Sequence, residues 1–481
     1  MEENTRIVLD YFERINAIPR CSKAEGRIRG WLQCWAGQRG FSTKGDAAGN
    51  LVMRVPASPG YEMAPCVVLQ GHMDMVCEKT PDSTHDFTSD PICSHMEGDW
   101  LTADGTTLGA DNGIAIAYAL ALADGEAVTH PPLELLFTVD EETGLNGVKA
   151  MANDLITGKI LINLDSEDEG VFTIGCAGGR DITMVLPLQT GPLSEGSQAV
   201  RVVVGGLRGG HSGIDIHKPR ANANKLLARV IDHVQQGTRC RLMAFDGGTR
   251  HNAIPRDATA ILTCEASVYP SVGPACEEMA GRITQECGDK EPDLYIKVAP
   301  ESLQTDRGAT AEGTRRAVDL LLALPNGVAG MSTAIAGLVE TSNNLATVHL
   351  QNGRMTILSS QRSAVPSRLD EISGRVRAVA RLAGAEAKES NQYPPWQPDP
   401  GCDLLKRSEA VYRGLYGQAP VIQVIHAGLE CAIIGDLYPG IQMISFGPTI
   451  RNPHSPSEKL YVPSVAKVWQ LLVALLASWV E

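Results

Sequence analysis

Short apolar runs alternate with a longer helical pattern over residues 51–165. Three of these runs, at 65–70, 133–139 and 160–164, are largely apolar along their whole length, and an alanine-rich stretch at 112–123 predicts a helix between the first two. Strands that are apolar on both faces and alternate with helices are typical of a parallel sheet covered by helices. The sequence therefore predicts an α/β fold.

The middle of the chain follows a different pattern. A strand pattern at 200–204 precedes an amphipathic helix that we expect over 219–235, with a proline at its start. The proline-rich stretch 393–400 breaks regular structure, and a helix, a strand and an apolar terminal helix follow it. We therefore expect a discontinuous first domain and an inserted α+β domain. The expected ranges are 1–186 with 394–481 for the first domain and 187–393 for the insertion.

Residue types that bind metal ions follow the ends of the predicted strands. His72 and Asp74 come after the first strand, Glu141 and Glu142 after the second, and Asp165 after the third. In open α/β sheets, ligands bind beyond the carboxyl ends of the strands and at helix N-termini. Two further residues occupy such places: Asp111 at the start of the alanine-rich helix, and His454 in the loop after a strand predicted at 441–446.

Five of these residues form a candidate set of metal ligands. Carboxylates that are buried together repel one another strongly, so a cluster of this kind needs cations. Two divalent metal ions would relieve the repulsion. Mixed histidine and carboxylate ligands suit zinc, manganese or cobalt better than calcium or magnesium. The set consists of His72, Asp111, Glu142, Asp165 and His454.

Each of these residues also has an ordinary structural explanation. Asp111 would serve equally well as a helix cap, and adjacent glutamates such as Glu141 and Glu142 are usually a solvated surface pair. Asp165 fits a turn, and His454 lies in a proline-containing loop. A single H-x-D match occurs by chance. The joint placement of these residues, and no single one of them, favours a metal site.

The charge balance excludes two classes of partner. The chain has 481 residues, with 42 Lys and Arg against 56 Asp and Glu, and a net charge of −14. An acidic surface repels phosphate backbones and anionic membrane surfaces, so we expect no nucleic-acid or membrane partner. The apolar stretch 465–480 is interrupted by polar residues, whereas a membrane span needs about 20 apolar residues.

The twelve cysteines are scattered, and no two of them form a C-x-x-C pair. Together with an N-terminus that lacks the basic and apolar regions of a secretory signal, this predicts reduced thiols in a cytoplasmic protein.

Taken together, the motifs resemble the M20 family of di-zinc metallopeptidases and, within that family, the aminoacyl-histidine (Xaa-His) dipeptidases. The resemblance extends over essentially the whole chain. The stretches at the predicted strand ends are G-H-M-D-M (71–75), L-G-A-D-N-G (108–113), T-V-D-E-E-T-G (138–144), N-L-D-S-E (163–167) and P-H-S-P (453–456). Further stretches are G-G-H-S-G (209–213), R-H-N-A-I-P (250–255), S-S-Q-R-S (359–363) and H-A-G-L-E-C (426–431).

The resemblance implies a zinc-peptidase-like catalytic domain with a mixed, largely parallel sheet and an inserted lid and dimerisation domain. It further implies that Asp111 bridges two Zn²⁺ ions per chain, for which Co²⁺ or Mn²⁺ would substitute. His72 and Asp165 would complete the protein ligands of one ion, and Glu142 and His454 those of the other. This leaves room for water, as a catalytic site requires.

Two carboxylates receive catalytic roles from the resemblance. Glu141 would be the general base that takes a proton from the attacking water and later passes it to the leaving amine. Asp74 would orient the imidazole of His72.

The resemblance also implies substrate-binding residues in the inserted domain. His211 would stabilise the tetrahedral oxyanion, in its own or the partner subunit's site, with help from Asn252. Arg362 would bind the free carboxylate of the substrate. The ordinary alternatives are a structural turn histidine and a surface salt bridge. Ala432 stands where the family pattern leads us to expect glycine, which bears on the shape of the pocket and not on the metals.

These expectations describe a metal-dependent dipeptidase that acts on unblocked dipeptides, favours C-terminal histidine and accepts carnosine-type substrates. We expect a homodimer joined through the inserted domain. A deacylase of the same family that acts on N-acyl amino acids is the alternative enzyme, and a preference for a free substrate amine would separate the two. An inactive relative that binds peptide is a third possibility, which the retained Glu141 and metal ligands disfavour.

Overall fold

The computed structural model describes residues 3–125, 128–303, 305–333, 335 and 337–479. The chain forms two compact units. The first comprises residues 1–176, 396–424 and 429–481, and the second comprises residues 177–395 and 425–428. The strand that begins at Gly178 belongs to the second unit because it pairs along its length with the strand Arg354–Ser363. The division therefore falls before this strand, whereas the sequence patterns suggested a division after residue 186.

The helices of the described chain are, in order, α1 (Glu3–Asn16), α2 (Gly26–Gln38), α3 (Ala110–Asp124), α4 (Asn146–Lys149), α5 (Ala223–Gly237), α6 (Tyr269–Cys287), α7 (Ala311–Ala323), α8 (Pro366–Leu382), α9 (Asp403–Tyr416), α10 (Glu430–Leu437) and α11 (Val462–Ala477), with a short 3-10 turn at Gly288–Lys290.

The strands are β1 (Ser42–Gly45), β2 (Leu51–Val55), β3 (Val67–His72), β4 (Ser94–Glu97), β5 (Trp100–Ala103), β6 (Leu133–Thr138), β7 (Ile160–Asn163), β8 (Val171–Cys176), β9 (Gly178–Pro187), β10 (Thr190–Pro192), β11 (Gln198–Gly205), β12 (Gly210–His211), β13 (Arg241–Gly247), β14 (Ala253–Ile254), β15 (Ala258–Cys264), β16 (Tyr295–Glu301), β17 (Arg307–Ala309), β18 (Gly327–Met331), β19 (Val339–Gln351), β20 (Arg354–Ser363), β21 (Glu386–Tyr393), β22 (Val421–Ile425), β23 (Gln442–Ser445), β24 (Ile450–Arg451) and β25 (Lys459–Tyr461).

The first unit is built on an eight-stranded sheet in the order β1-β2-β6-β3-β7-β23-β8-β22. Its centre is parallel, since β3 pairs in parallel with β6 and β7, and β7 pairs in parallel with β23. Strands β1, β2 and β8 pair antiparallel at the two sides of this centre. All residues of β3, β6 and β7 are buried, which explains their continuous apolar pattern. The predicted α/β fold with a mixed, largely parallel sheet is confirmed.

Helix α3 is buried almost all round, from Ala110 to Leu122. A helix of this kind has no polar face, because neighbours surround it on every side. It packs against α1 and β3. This burial explains the alanine-rich composition that marked the helix in the sequence, and it places the start of α3 beside the end of β3.

The second unit has a separate antiparallel sheet in the order β16-β11-β15-β13-β19-β20-β9-β21, with β18 paired to β19. Helices α5 to α8 and this sheet share one apolar core. The helix expected over 219–235 begins later, at Ala223, because Asn222 caps it by accepting the N–H of Lys225. Pro219 lies in the preceding loop.

Two further observations concern the cysteines and the lengths of the helices. Cys21 and Cys77 are joined by a disulfide, so the expectation of reduced thiols is wrong for this pair, while ten cysteines are free. Among the helices of the described residues, none combines the length and the apolar character needed to cross a membrane.

Candidate active site

Asp111 lies between two imidazoles in the first unit. Its Oδ1 is 3.1 Å from Nε2 of His72, and its Oδ2 is 2.9 Å from Nε2 of His454. One carboxylate that presents a different oxygen to each of two histidines has the geometry of a ligand shared by two metal ions. This arrangement fits the bridging role that the sequence suggested for Asp111.

Each of the two imidazoles also faces a second carboxylate. Glu142 Oε2 is 3.0 Å from Nε2 of His454, and Asp165 Oδ1 is 3.6 Å from Nε2 of His72. The structure therefore brings all five predicted ligands together. Ligand atoms of His72, Asp111 and Glu142 lie within 4.8 Å of one another, close enough to hold one metal ion.

The parallel sheet explains why these residues meet. His72 is the last residue of β3, while Glu142 and Asp165 follow the ends of β6 and β7, the two parallel neighbours of β3. Parallel strands present their carboxyl ends at one edge of the sheet, where α/β proteins bind ligands. Asp111 is the second residue of α3. His454 reaches the same place from the loop between β24 and β25.

The electrostatics of this cluster show an excess of negative charge. Burial, reinforced by Asp111 and Glu142, raises the pKa of Asp165 to about 6. Burial together with the neighbouring carboxylates also raises the pKa of Glu141 well above its ordinary value. Hydrogen bonds that His454 donates to the carboxylates of Asp111 and Glu142 raise its pKa to about 11. Burial and neighbouring carboxylates both disfavour the negative charge of Asp165 and Glu141, and divalent cations would neutralise that charge.

The donor set passes a direct test for a metal centre. The side chain of Glu142 is only 6% exposed, and its buried Oε1 has no hydrogen-bond partner among the described residues. A buried carboxylate oxygen without a partner is costly unless a cation binds it. Two histidines and three carboxylates are also ligands that zinc and its neighbours in the transition series accept. The residues present fit a pair of divalent ions.

Asp74 holds the segment that carries both glutamates. Its Oδ1 accepts the backbone N–H of Glu141 at 3.1 Å, and its Oδ2 accepts that of Glu142 at 3.2 Å. The carboxylate lies 3.4 Å from Nδ1 of His72, but the backbone carbonyl of Asp74 is closer, at 3.0 Å. Asp74 is fully buried. Two oxygens of Asp74 therefore lie beside Nδ1 of His72, the carbonyl being the nearer, and the carboxylate also fixes the Glu141–Glu142 turn.

A network of buried polar side chains links the strands β3, β6 and β7 that precede the predicted ligands. Gln70 donates to Oε2 of Glu430 at 2.6 Å, and Thr138 donates to the same oxygen at 2.7 Å. Asn163 donates to Gln70 and links β7 to β3. The sequence resemblance named the stretch that contains Glu430 without assigning a role to it. In the structure Glu430 anchors the strands that carry the predicted ligands.

In the second unit, His211 and Asn252 lie in paired segments. His211 is on β12, which pairs with β14, and the carbonyl of Asn252 accepts the N–H of Ser212 at 2.8 Å. The Nδ1 atom of His211 accepts the backbone N–H groups of Gly213 and Ile214, each at 3.2 Å. Burial and the charge of Arg362 lower the pKa of His211. Because Nδ1 accepts hydrogen bonds, the neutral form of this imidazole carries its proton on Nε2.

Arg362 lies on β20, and its Nη1 donates to the hydroxyl of Tyr393 at 2.9 Å. The residue is 7% exposed, so the alternative of a surface salt bridge does not describe it. His426 accepts from or donates to Ser342 across 2.7 Å. Burial and the charge of Arg362 lower the pKa of His426 to about 3. The second unit therefore contains a buried cluster with an excess of positive charge.

Sequence reasoning missed several residues of these two clusters. Tyr393 had no signal, because a tyrosine at the end of a strand is ordinary. The stretch with His426 and Glu430 was recognised, but the roles of these two residues were not. Arg20 and Glu458, which contact the segments around Asp111 and His72, were also missed.

Comparison with known proteins gives a consistent result. The sequence model of "Peptidase family M20/M25/M40" matches residues 68–478. The chain is 39% identical to the "Cytosol non-specific dipeptidase" of Escherichia coli (strain K12) over 468 residues, which are 97% of this chain and 96% of that relative.

Solved structures give the same picture of the fold. The aminoacylhistidine dipeptidase from Vibrio alginolyticus superimposes with a TM-score of 0.92 at 38% identity, covering 99% of this chain and 98% of that one. The aminopeptidase PepT from Bacillus cereus ATCC 10987 has a TM-score of 0.58 at 16% identity, over 99% of each chain. The second comparison supports the shared fold alone.

Proposed function

This chain belongs to peptidase family M20/M25/M40, and from this premise we propose that it is a metal-dependent dipeptidase of unblocked dipeptides. The preferred substrates are Xaa-His dipeptides, including carnosine-type β-alanyl dipeptides. One observation carries the proposal: the carboxylate of Asp111 faces His72 and His454 with one oxygen each. The similarity to dipeptidases of Escherichia coli and Vibrio alginolyticus supports the choice of substrate.

The five clustered residues would hold two divalent metal ions. Asp111 would be shared, His72 and Asp165 would serve one ion, and Glu142 and His454 would serve the other, with zinc as the proposed metal and cobalt or manganese as substitutes. When bound, the two ions lower the pKa of water and polarise the scissile carbonyl. The surplus of carboxylate charge and the unpartnered oxygen of Glu142 support this assignment.

Glu141 is the proposed general base. It takes a proton from the attacking water and gives it to the amine that leaves, and this kind of transfer contributes about 10²- to 10⁴-fold to a rate. Its raised pKa, caused first by burial and then by neighbouring carboxylates, suits a group that must both accept and release a proton. Asp74 acts by holding the backbone of Glu141 and Glu142 in place.

Residues of the second unit are proposed to bind the substrate. Because Nδ1 of His211 accepts two backbone N–H groups, its Nε2 proton is available to an oxyanion. Arg362 retains donors beyond its bond to Tyr393, with a buried Nε that has no partner among the described residues, so it can bind the C-terminal carboxylate of a dipeptide. Asn252 is proposed to assist His211.

We also propose that the protein acts in the cytoplasm as a homodimer joined through the inserted unit, which serves as lid and dimerisation domain. The name of the Escherichia coli relative, which places it in the cytosol, supports the location. The resemblance to the aminoacyl-histidine dipeptidases is the support for the dimer. Sedimentation of the purified protein tests the dimer, and a monomer at micromolar concentration contradicts it.

Hydrolysis of a dipeptide panel tests the function. The zinc-loaded protein is assayed against β-alanyl-histidine, Gly-His, Leu-Gly and N-acetylated Gly-His, with and without a chelator. Chelator-sensitive cleavage of the three unblocked dipeptides, with the acetylated compound intact, is the expected result. Cleavage of the acetylated compound alone would show a deacylase. No cleavage by protein that holds both metals would contradict enzymatic activity and favour a peptide-binding relative.

A further inference from the structure

Arg20 is a fully buried arginine that contacts two of the segments that form the active site. It is 1% exposed. Its Nη2 donates to the carbonyl of Gly109 at 2.6 Å, and its Nη1 donates to the carbonyls of Met73 and Asp74 at 3.3 and 3.2 Å. Gly109 precedes Asp111 by two residues, and Met73 follows His72. One guanidinium therefore joins the start of α3 to the end of β3.

The carbonyl oxygen of Asp74 contacts both Arg20 and the imidazole of His72. That oxygen interacts with Nδ1 of His72 at 3.0 Å and also accepts from Arg20. Arg20 therefore fixes the group that orients the imidazole, and through Gly109 it fixes the backbone that carries Asp111. Asp111 and His72, the side chains carried by these two segments, face each other across 3.1 Å.

Glu458, a buried carboxylate, contacts the same segment at the start of α3 that Arg20 contacts. It is 2% exposed. Its Oε2 accepts the N–H groups of Leu108 and Gly109 at 2.9 and 3.0 Å, and its Oε1 accepts that of Asp111 at 3.2 Å. Glu458 lies in the loop that contains His454, four residues later in the chain. It therefore joins the backbone of Asp111 to the segment that carries the second histidine.

Gly109 shows that the local sequence is built around these two charges. Its N–H goes to Glu458 and its carbonyl to Arg20. Its φ of +71° is a left-handed conformation, and a Cβ atom there would lie 2.4 Å from Nη2 of Arg20 and 2.8 Å from Sδ of Met75. Only glycine satisfies both conditions.

The energetics also point to a positioning role. Burying a charged side chain is expensive, and well-packed apolar residues are often at least as stabilising as a buried ion pair. Arg20 and Glu458 are hydrogen-bonded mainly to backbone groups, so they hold specific backbone segments in position. Those segments carry Asp111 and its two histidines.

We propose that Arg20 and Glu458 are positioning residues of the metal centre, with Arg20 fixing Asp111 against His72 and Glu458 fixing it against His454. The inference rests on the proposed function, since it presumes that these residues bind metal ions. It predicts that the two buried side chains control metal affinity although neither is a ligand. Loss of residues that support metal ligands typically costs about 10- to 100-fold in metal affinity or activity.

Metal binding by two conservative variants tests the proposal. In Arg20→Lys, an ammonium replaces a planar group that donates to carbonyls of two segments, and it cannot reproduce all of these bonds. In Glu458→Gln, the amide nitrogen would oppose the N–H of one of the three backbone donors. Apo-protein is titrated with Zn²⁺ against a chromophoric chelator, and the visible spectrum of the Co²⁺-loaded protein is recorded. We expect about 10- to 100-fold weaker binding of at least one ion and an altered Co²⁺ spectrum.

Two matched controls belong to the same unit. Arg39→Lys alters an arginine that binds Asp124 at the other end of α3, through contacts of 2.6 and 2.9 Å. Glu134→Gln alters a carboxylate that is also 2% exposed and accepts the N–H groups of Thr157 and Gly158. Both controls should bind Zn²⁺ within about twofold of the wild-type protein, and their Co²⁺ spectra should be unchanged.

The possible outcomes separate this proposal from the proposed function. Wild-type binding and an unchanged Co²⁺ spectrum in Glu458→Gln and in folded Arg20→Lys would overturn the positioning role. Thermal melts of the apo-proteins identify a variant that does not fold, in which case Glu458→Gln, which preserves the shape of the side chain, decides alone. If the wild-type protein binds two ions but cleaves no dipeptide, the proposed function fails while the affinities still decide the positioning role. A wild-type protein that binds no zinc overturns both.

Discussion

The two units of the protein contain buried clusters of opposite charge. In the first unit, burial and the neighbouring carboxylates of Asp111 and Glu142 raise the pKa of Asp165 to about 6. In the second unit, burial and the charge of Arg362 lower the pKa of His426 to about 3 and lower that of His211 as well. The first cluster has surplus negative charge and the second surplus positive charge. The charge that each cluster leaves uncompensated matches the ligand proposed for it: cations for the first and an anion for the second.

The two units also differ in how their strands position the residues of each cluster. Glu142 and Asp165 of the first unit follow parallel strands, whose ends converge at one edge of the sheet, and Asp111 joins them from the start of α3. The basic residues of the second unit come from an antiparallel sheet and the short segment 425–428. Metal ions require several ligand atoms at fixed distances, which convergent strand ends supply. A carboxylate can be bound by one planar guanidinium, and Arg362 needs no such convergence.

Substitution of the two adjacent glutamates, Glu141 and Glu142, should have the largest effect on activity. It also separates the proposed general base from the proposed metal ligand. We expect Glu141→Gln to lower kcat about 10²- to 10⁴-fold, because it removes the proposed base. The variant should still bind both metal ions. Glu142→Gln should instead weaken the binding of one ion. Steady-state kinetics together with metal analysis of both variants distinguishes the two roles, and full turnover by Glu141→Gln would rule out the general base.

Substitution of Arg362 tests the anion site of the second cluster. We expect Arg362→Lys to raise KM for Gly-His about 10- to 100-fold, because hydrogen bonds between charged groups contribute about 1.5–3 kcal/mol and lysine cannot bind a carboxylate in two places. The C-terminal amide of the same dipeptide provides the control. Its KM should change little between the two proteins, and an equal effect on acid and amide would show that Arg362 does not bind the carboxylate.

Substitution of Asp74 should have a smaller effect on catalysis. In Asp74→Asn, one oxygen becomes an NH₂ group that opposes the backbone N–H of Glu141 or Glu142, so the turn loses one of its two anchors. We expect kcat to fall roughly 10-fold, at the lower end of the range for residues that support a metal site. Ser22→Ala, which removes a donor to the same carboxylate while keeping both backbone bonds, should have a milder effect. A larger loss in Ser22→Ala than in Asp74→Asn would contradict this explanation.

The smallest effect concerns stability in acid and tests the positive cluster. The pKa of His426 is about 3 in the folded protein, lowered by burial and by Arg362, against about 6.5 in the unfolded chain. Between these values only the unfolded chain binds the proton, so the free energy of unfolding falls as the pH falls from 6.5 towards 3. At pH 5 this amounts to roughly 2 kcal/mol relative to pH 7.

We therefore expect His426→Gln to reduce the acid-induced loss of stability by about that amount, since the variant has no imidazole to protonate. Urea unfolding of chelated protein at pH 7 and pH 5 measures the difference. His349→Gln, at an exposed histidine of the same unit that is not among the groups shifting the pKa of His426, is the control and should follow the wild-type protein. Identical pH dependence in His426→Gln and wild type would contradict a neutral buried imidazole.

The sequence predicted which five residues lie together because two independent signals coincide at them. The residue types are those that bind metals, and their positions follow strands whose apolar pattern is unmistakable. Asp165 illustrates this, since it directly follows the buried run Ile160–Asn163 and Leu164. The parallel pairing of β3, β6 and β7 then brings the ligands together.

Other features left no trace in the sequence for physical reasons. Arg20 donates to backbone carbonyls of residues that lie 53, 54 and 89 positions away, and every residue has a carbonyl, so no residue pattern marks the acceptors. The start of α5 depends on the cap that Asn222 provides, which competed with the more familiar signal of Pro219. The disulfide between Cys21 and Cys77 depends on tertiary proximity, which spacing along the chain does not encode.

A zinc titration of apo-protein followed by calorimetry tests the central claim most directly. The account predicts two Zn²⁺ ions per wild-type chain, recovery of dipeptide hydrolysis as the sites fill, and loss of both high-affinity sites in Asp111→Ala, because that carboxylate faces both histidines. Binding of one ion or none by the wild-type protein, or retention of two ions by Asp111→Ala, would contradict the account.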